Sequence, residues 1–266
     1  MPYYPFEIGH VFFIPGCRLG GFRVVAGRER GVMRKALDVC SKYNARLIHL
    51  NFTLTPRGEK CFTLIYDLTE CSAPLKEIAE EIKRIESIKE VTWIEQQAEG
   101  FIANTTPSTI TVGGMRVIIL REIAWSVLVN KIRERFGAGG EVLLYYVGLD
   151  MGANAAKEHL KMAEALGLRE PDKITRILGA SMFISTGWGR MQIDEFTLNP
   201  PHILITVSNN FECEVGAASR KPYSQLTRGL IAGYLSHLLG LEIEVDEVEC
   251  IVRGDPHCRF ECKPRK

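Results

Sequence analysis

The stretch VDEVECIVRGDPHCRF, residues 245–260, places two cysteines, a histidine and two glutamates around a Gly-Asp-Pro turn. Apolar and polar residues alternate before and after the turn, which predicts two antiparallel strands, because successive side chains of a strand point to opposite faces. Cys250 leads into the turn and Cys258 leaves it, so we expect the hairpin to bring their thiols together. Three interpretations are open: metal ligands, a redox pair, or buried reduced thiols.

The metal interpretation needs more than two ligands. Thiolates on paired strands can converge on one zinc ion, and zinc takes Cys, His and carboxylate ligands in a tetrahedral shell. Glu247, Cys250 and Cys258 are the first candidates, with Cys213 or Cys262 as the fourth ligand. His257 follows the turn beside Cys258 and would point to the other face of a strand. A filled shell predicts a structural zinc rather than a catalytic one.

The segments before this hairpin predict a mixture of helices and strands. Helical spacing is typical of residues 122–137 and 221–240, and the latter carries small residues at Gly229, Ala232 and Gly233 that allow close approach of another element. The apolar run at 142–148 predicts a strand, followed by a helix over 153–166. A helix and then a meander of strands follow from residue 171 onward.

Three of these segments resemble one family. FGAGGEVLLYYVGLDMG (136–152), LTRGLIAGYLSHLLG (226–240) and the hairpin are similar to a 4-vinyl-reductase-type, or hydrocarbon-binding, domain over roughly residues 109–263. The resemblance implies an α/β small-molecule-binding domain with an antiparallel sheet and long helices. Such domains are the aromatic-sensing parts of phenol-responsive activators, occur in many prokaryotic proteins and are related in fold to vesicle-tethering subunits.

The resemblance also implies a zinc site, with one departure. In sensor members of the family the ligands are a Cys before the long helix, a Glu and two Cys of the final hairpin. These positions correspond to Ser224, Glu247, Cys250 and Cys258. A serine hydroxyl is a poor zinc ligand, so the fourth ligand is again expected from Cys213 or Cys262.

A closed apolar cavity is the other implied feature, since small ligands are generally held by apolar walls with few polar groups. The pocket candidates are the aromatic and methionine residues Trp125, Tyr145, Tyr146, Phe183, Trp188, Met191 and Tyr234. Such residues are more often part of a hydrophobic core than of a pocket. No polar pair that would hold a phenol hydroxyl is recognisable in the sequence.

The first hundred residues predict the order β-α-β-β-α-β of a ferredoxin-like unit. The predicted elements are strands at 22–27, 45–55, 61–69 and 90–97 and helices at 30–44 and 73–88. This order resembles an ACT domain, a small regulatory module. The loop at 27–31, which contacts amino-acid ligands in that family, carries Arg28, Glu29 and Arg30 instead of an apolar-Pro-Gly run. We therefore expect a dimerising or spacer module, with amino-acid binding as the alternative.

The chain as a whole is predicted to be an α+β protein with two domains. The expected division is an extension at 1–21, an ACT-like domain at 22–98, a linker at 99–108 and the 4-vinyl-reductase-type domain at 109–266. The 33 Lys and Arg balance the 32 Asp and Glu, which predicts no direct nucleic-acid partner. No signal peptide or apolar run of about 20 residues is present, so a cytoplasmic protein without a membrane partner is expected.

The function that these features favour is a ligand-binding regulatory or sensor protein. Its expected partners are a small hydrophobic or aromatic ligand and a second copy of the chain, with the Gly/Ala face of residues 229–233 as a candidate dimer contact. No catalytic residues are predicted, because no P-loop, dinucleotide fingerprint after a strand or nucleophile-base set is readable. The alternatives are a tetrapyrrole vinyl-group reductase or its accessory protein, and a dimeric scaffold without a ligand.

Overall fold

The computed structural model describes residues 7–107, 109–216 and 221–265. The chain divides into two compact units between Thr111 and Val112. Both units combine helices with antiparallel sheets, which confirms the predicted α+β class. Within the described ranges, no helix is both long and apolar enough to cross a bilayer.

The N-terminal unit is built on a four-stranded antiparallel sheet. Its elements are β1 Val11–Phe13, β2 Leu19–Ala26, α1 Val32–Lys42, β3 Arg46–Leu54, β4 Lys60–Asp67, α2 Leu75–Lys83, β5 Ile88–Glu95 and β6 Phe101–Ala103. The strand order is β3-β4-β2-β5, and the chain order β2-α1-β3-β4-α2-β5 is the predicted one. Phe22, Phe62 and Tyr66 meet Ile78 and Ile82 of α2 in the core beneath the helices.

The second face of this sheet is covered by the short pair β1 and β6. Ile102 of β6 packs on Ile65 and Ile94 of the sheet, and Phe12 of β1 adds to the same cluster. Residues 99–108, the expected linker, therefore include a strand. Three-residue strands are too short to show an alternation, which is why the sequence pattern does not reveal them.

The C-terminal unit joins long helices to a second antiparallel sheet. Its elements are β7 Ile110–Val112, which spans the division, β8 Met115–Val117, α3 Glu122–Phe136, α4 Ala138–Leu166, α5 Pro171–Ile174, α6 Ala180–Ser185, β9 Arg190–Leu198, β10 Pro201–Ser208, α7 Phe211–Glu214, α8 Gln225–Leu239, β11 Ile243–Glu249 and β12 Cys258–Pro264. The strand order is β11-β12-β10-β9. A π-helical turn, Thr175–Gly179, joins α5 to α6.

Helix α4 corrects one expectation. The apolar run at 142–148, predicted to be a strand, lies inside a continuous helix of 29 residues. One side of this run is buried through Leu144 and Gly148, while Val142 and Val147 on the other side are exposed. Because apolar residues occupy both sides, the run shows no helical period, and periodicity alone cannot distinguish such a run from a buried strand.

Helices α4 and α8 touch backbone to backbone. A Cβ atom added at Gly148 would lie 2.1 Å from the carbonyl oxygen of Leu226 in α8. In the other direction, one added at Gly233 would lie 1.9 Å from the carbonyl oxygen of Leu149 in α4. The close approach expected on the Gly/Ala face of residues 229–233 is therefore made within the chain, and the expectation that a second copy occupies this face is wrong.

Replacing Gly233 by alanine tests this contact. Gly233→Ala is expected to lower the free energy of unfolding by about 3 kcal/mol, because α4 must move away from α8 to admit the methyl group. Gly139→Ala is the matched control, since no atom lies within 4 Å of a Cβ at Gly139, and it should leave stability equal or slightly raised. Urea unfolding followed by tryptophan fluorescence measures both. Equal stability of the two variants would contradict the close contact.

Candidate functional site

A cavity of about 190 Å³ lies in the C-terminal unit. Its walls come from α4, the π-helical turn, α6, α8 and the two strands β9 and β10. Most of the lining is apolar, with Leu230 and Ile231 of α8 facing Met191 and Ile205 of the sheet. The long helices and the sheet thus border a space that the core does not fill.

Four of the seven residues predicted for the pocket line this cavity: Phe183, Trp188, Met191 and Tyr234. Trp125 lies behind the wall, with its ring edge-to-face on Trp188 at 5.5 Å between centroids. Tyr145 is outside the cavity, where the guanidinium of Arg228 lies 4.9 Å from its ring centre. Tyr146 is also outside, and it is exposed to solvent.

A buried polar pair stands within this apolar lining. His159 Nδ1 and the hydroxyl of Tyr234 are 3.2 Å apart, and the two residues are only 4% and 6% exposed. Burial lowers the pKa of His159, so the imidazole is neutral at pH 7, and burial raises the pKa of Tyr234. The pair therefore offers hydrogen-bonding atoms without net charge.

Sequence reasoning did not include His159 among the site residues. Its signal is position, because His159 falls on the buried stripe of α4 that includes Gly152, Ala156 and Ala163. Ala156, His159 and Ala163 are spaced three and four residues apart within the helix predicted at 153–166, so this stripe is readable from the sequence. A single histidine on a stripe of small residues does not by itself indicate a binding site.

The π-helical turn shapes the wall beside this pair. A Cβ atom at Gly179 would lie 3.0 Å from the Tyr234 hydroxyl, so the glycine lets the turn approach the phenol group closely. Thr175 also lines the cavity, but its hydroxyl donates to the carbonyl of Pro171 at 2.8 Å. Single π-helical turns inside α-helices often mark functional sites.

A second cluster joins α7 to the last two strands. Cys213, Glu247, Cys250 and Cys258 are buried, and one ligand atom from each lies within 4.8 Å of all the others. The sulfur atoms of Cys213 and Cys250 are 3.6 Å apart, whereas a disulfide needs about 2.05 Å. Zn–S bonds of about 2.3 Å in a tetrahedron place two sulfurs about 3.8 Å apart. This donor set and spacing fit a tetrahedral metal ion.

Ser224 lies inside the same cluster without being a good ligand. Its hydroxyl donates to Glu247 Oε1 at 2.6 Å, and its backbone N–H donates to Glu247 Oε2 at 2.9 Å. The sulfur of Cys213 is only 2.9 Å from the Ser224 hydroxyl. Cys213 therefore occupies nearly the position that a cysteine at residue 224 would take.

The other two candidates from the sequence lie outside the cluster. Cys262 is on the inner face of β12, paired with Ile203 and Val245, and burial raises the pKa of its thiol. His257 instead forms an ion-pair contact with Glu249, at 2.7 Å. Of the alternatives left open by the sequence, only Cys213 reaches the group formed by Glu247, Cys250 and Cys258.

The charge state of the cluster follows from its burial. Burial raises the pKa of Glu247 to about 8. The pKa of Cys213 is raised because its thiol donates hydrogen bonds to Cys250 and Cys258, and that of Cys250 is lowered because its sulfur accepts from those two residues. Without a cation the cluster retains protons, and a metal ion would displace them on binding.

The Gly-Asp-Pro turn fixes the position of Cys250. The carboxylate of Asp255 accepts the backbone N–H of Cys250 at 2.7 Å, and Arg253 donates to the same oxygen at 2.8 Å. Gly254 has φ of 99°, a left-handed conformation that favours glycine. The turn residues thus hold the thiol in place from outside the cluster.

Comparison with known proteins finds relatives of both units. Residues 203–264 match the family model of the 4-vinyl-reductase-type domain. The uncharacterized protein MJ1460 of Methanocaldococcus jannaschii is 26% identical over 140 residues, which are 52% of this chain and 73% of that protein. A UPF0735 ACT domain-containing protein of Clostridium botulinum is 27% identical over 74 residues, or 28% of this chain, and the match spans about half (51%) of that protein's length.

One solved structure supports the fold of the C-terminal unit. The phenol-responsive sensory domain of the transcription activator PoxR, solved with phenol, has a TM-score of 0.51 and 23% sequence identity, and the match covers 59% of this chain and 80% of that one. At this identity the likeness concerns the fold. Taken with the family match, the chain carries a 4-vinyl-reductase-type domain preceded by an ACT-like domain.

Proposed function

We propose that the chain is a ligand-sensing regulatory protein and that its 4-vinyl-reductase-type domain binds a small, uncharged, mostly aromatic or apolar molecule. The observation that carries this proposal is the His159–Tyr234 pair, buried in a mostly apolar cavity. A buried polar pair beside empty apolar space can meet one hydrogen-bonding group of a ligand, while the apolar walls accept the rest of it.

The size and charge of the cavity narrow the ligand class. An apolar cavity of about 150 Å³ holds benzene, so a cavity of about 190 Å³ suits a single aromatic ring with a small substituent. An anionic ligand is disfavoured because His159 is neutral, most of the wall is apolar, and the acidic side chain of Glu158 is at the lining. The shared fold with the phenol-responsive domain of PoxR supports the same class.

Calorimetric titration with phenol, toluene and benzoate tests the ligand class. Phenol should bind most tightly, because it is neutral and can hydrogen-bond to the pair. Tyr234→Phe should weaken phenol binding about tenfold, the value of one hydrogen bond, and leave toluene unchanged. Tyr145→Phe, outside the cavity, is the control. The ligand class is wrong if benzoate equals phenol, if none of the three binds, or if Tyr234→Phe binds phenol like the wild type.

We also propose that Cys213, Glu247, Cys250 and Cys258 hold a structural zinc ion. The donor set is one that zinc prefers, and four protein ligands leave no open position for catalysis. When bound, the ion would cross-link α7 to the final hairpin. In this proposed site Cys213 replaces the cysteine that sensor members of the family have at the position of Ser224. The Cys213 sulfur lies 2.9 Å from the Ser224 hydroxyl oxygen.

Zinc stoichiometry in four proteins tests this site. The wild type should bind one zinc per chain, and Cys213→Ser should lose it. Adding Ser224→Cys to Cys213→Ser should restore binding, because the new thiol lies within reach of Glu247. Cys262→Ser is the control and should keep its zinc. Full occupancy in Cys213→Ser, or a failure of Ser224→Cys to restore it, would contradict the proposed ligand set.

A homodimer is the third part of the proposal, and its contact is a surface on α3 and α4. This α3–α4 surface is defined by the apolar side chains of the two helices, and of the segment just before α3, that are each 40% to 78% exposed: Ile118, Ile119, Leu120, Ile123, Val127, Leu128, Val142, Leu143, Tyr146, Val147 and Met151. A standard interface buries roughly 800 Å² on each partner, and a set of exposed apolar side chains of this size can contribute to one. Interfaces between copies of one chain are also the most apolar class, which favours a second copy as the partner.

Light scattering coupled to size-exclusion chromatography tests the dimer. The wild-type chain should elute as a dimer, and Val147→Glu should shift it to a monomer, because a carboxylate would be buried unpaired at the contact. Leu166→Glu is the matched control: Leu166 is as exposed as the others but lies at the far end of α4. A monomeric wild type, or a dimer that withstands Val147→Glu, would refute this contact.

A further inference from the structure

Helix α7 is a short element that contacts both the cavity wall and the Cys/Glu cluster formed by Cys213, Glu247, Cys250 and Cys258. It lies between β10 and α8 and contains only Phe211–Glu214. Three consecutive residues meet different neighbours: Phe211 meets the cavity wall, Glu212 the start of α8, and Cys213 the cluster. A displacement of one residue in a single helical turn must therefore move the other two.

The contact with the cavity wall runs through Trp188. The backbone N–H of Phe211 donates to the carbonyl of Trp188 at 3.0 Å. The Phe211 ring lies 6.0 Å from Trp125, which packs edge-to-face on Trp188. Trp188 lines the cavity, and its N–H donates to the carbonyl of Phe183, another lining residue, at 3.2 Å. A shift of α7 is therefore expected to move Trp188 and Phe183, two aromatic residues of the cavity wall.

The contact with the cluster involves Asn210 as well as Cys213. Cys213 supplies one of the four ligand atoms. The side-chain amide of Asn210, just before α7, donates to the Ser224 hydroxyl at 2.8 Å, and Asn210 is fully buried. Any ion at the cluster therefore fixes both ends of the peptide that carries Phe211.

Glu212 makes α7 a rigid link rather than a loose one. Its carboxylate is fully buried and accepts the backbone N–H groups of Leu226 at 3.1 Å and Thr227 at 2.8 Å, in the first turn of α8. It also accepts a hydrogen bond from Arg133 of α3 at 2.7 Å. This buried pair and the two N–H contacts tie α7 to α3 and α8, so the residues of α7 move as a unit.

We propose that α7 couples the cavity to the metal cluster, with Phe211 and Glu212 as positioning residues. This proposal rests on the proposed zinc site. Zinc held by Cys213 fixes Trp188 against Phe183, and a ligand in the cavity raises the affinity of the cluster for zinc. Both bound species order the same segment, so the coupling is positive, and it is reciprocal by linkage.

Hydrogen exchange of the metal-free full-length chain, with and without zinc, tests the coupling. Zinc alone should slow exchange of the Trp188 amide about tenfold, within the range of about 5- to 150-fold for coupled sites. The amides of β4 in the ACT-like domain serve as the internal control and should not change. Unchanged exchange at Trp188 with one zinc bound per chain overturns the coupling alone. Absence of zinc binding removes the zinc site and the coupling together.

Two phenylalanine variants test whether the coupling between the cluster and the cavity passes through α7. Phe211→Ala keeps all four cluster residues but removes the ring that contacts Trp125, so zinc should still bind and the response at Trp188 should fall below twofold. Phe196→Ala removes a ring that packs against the same core as Trp125 and Trp188 but lies on β9, outside α7, and this variant should keep the tenfold response. A full response in Phe211→Ala, or its loss in Phe196→Ala, overturns the assignment to α7.

Discussion

The direct contact between the backbones of α4 and α8 is the constraint on which the C-terminal unit depends. Gly148 and Gly152 of one helix and Gly229 and Gly233 of the other leave no room for a Cβ atom. This approach places α8 between α4 and the sheet, where Ile231, Ala232 and Leu235 are almost completely buried. The same helix then serves two sites, because its first turn adjoins the Cys/Glu cluster and its middle lines the cavity.

The two sites have different chemical tasks. The cavity combines apolar walls with one neutral polar pair, which suits recognition of an uncharged ring. The cluster gathers three thiols and a carboxyl group at the end of the sheet, which suits a structural ion. Helix α7 lies between them, and the buried Arg133–Glu212 pair limits its freedom. The proposed coupling needs such a shared element, because occupancy of one site must change the affinity of the other.

Much of this arrangement was readable from the sequence, and the limits have physical causes. The strands of the ACT-like sheet and the final hairpin alternate clearly, so their order was predictable.

The choice between Cys213 and Cys262 as the fourth ligand was partly predictable too. Cys258 and Cys262 share a face of β12, but four residues of strand separate them by about 13 Å, too far to share one ion. No local pattern indicates that Cys213 of α7 returns to that hairpin, because the contact joins residues 37 positions apart. His159 was missed because a single histidine on a stripe of small residues gives no local sign of its partner, Tyr234, which lies 75 positions further along the chain.

Nuclear magnetic resonance of the protein with ¹⁵N-labelled histidine tests the central claim most directly, because it observes the proposed recognition group itself. At pH 7 the ring nitrogens of His159 should show a neutral imidazole, since burial lowers its pKa. Saturating phenol should shift one of those nitrogens and leave the other five histidines of the chain unchanged. A doubly protonated His159, or bound phenol with no change at either nitrogen, would contradict a cavity that recognises a neutral ligand through this residue.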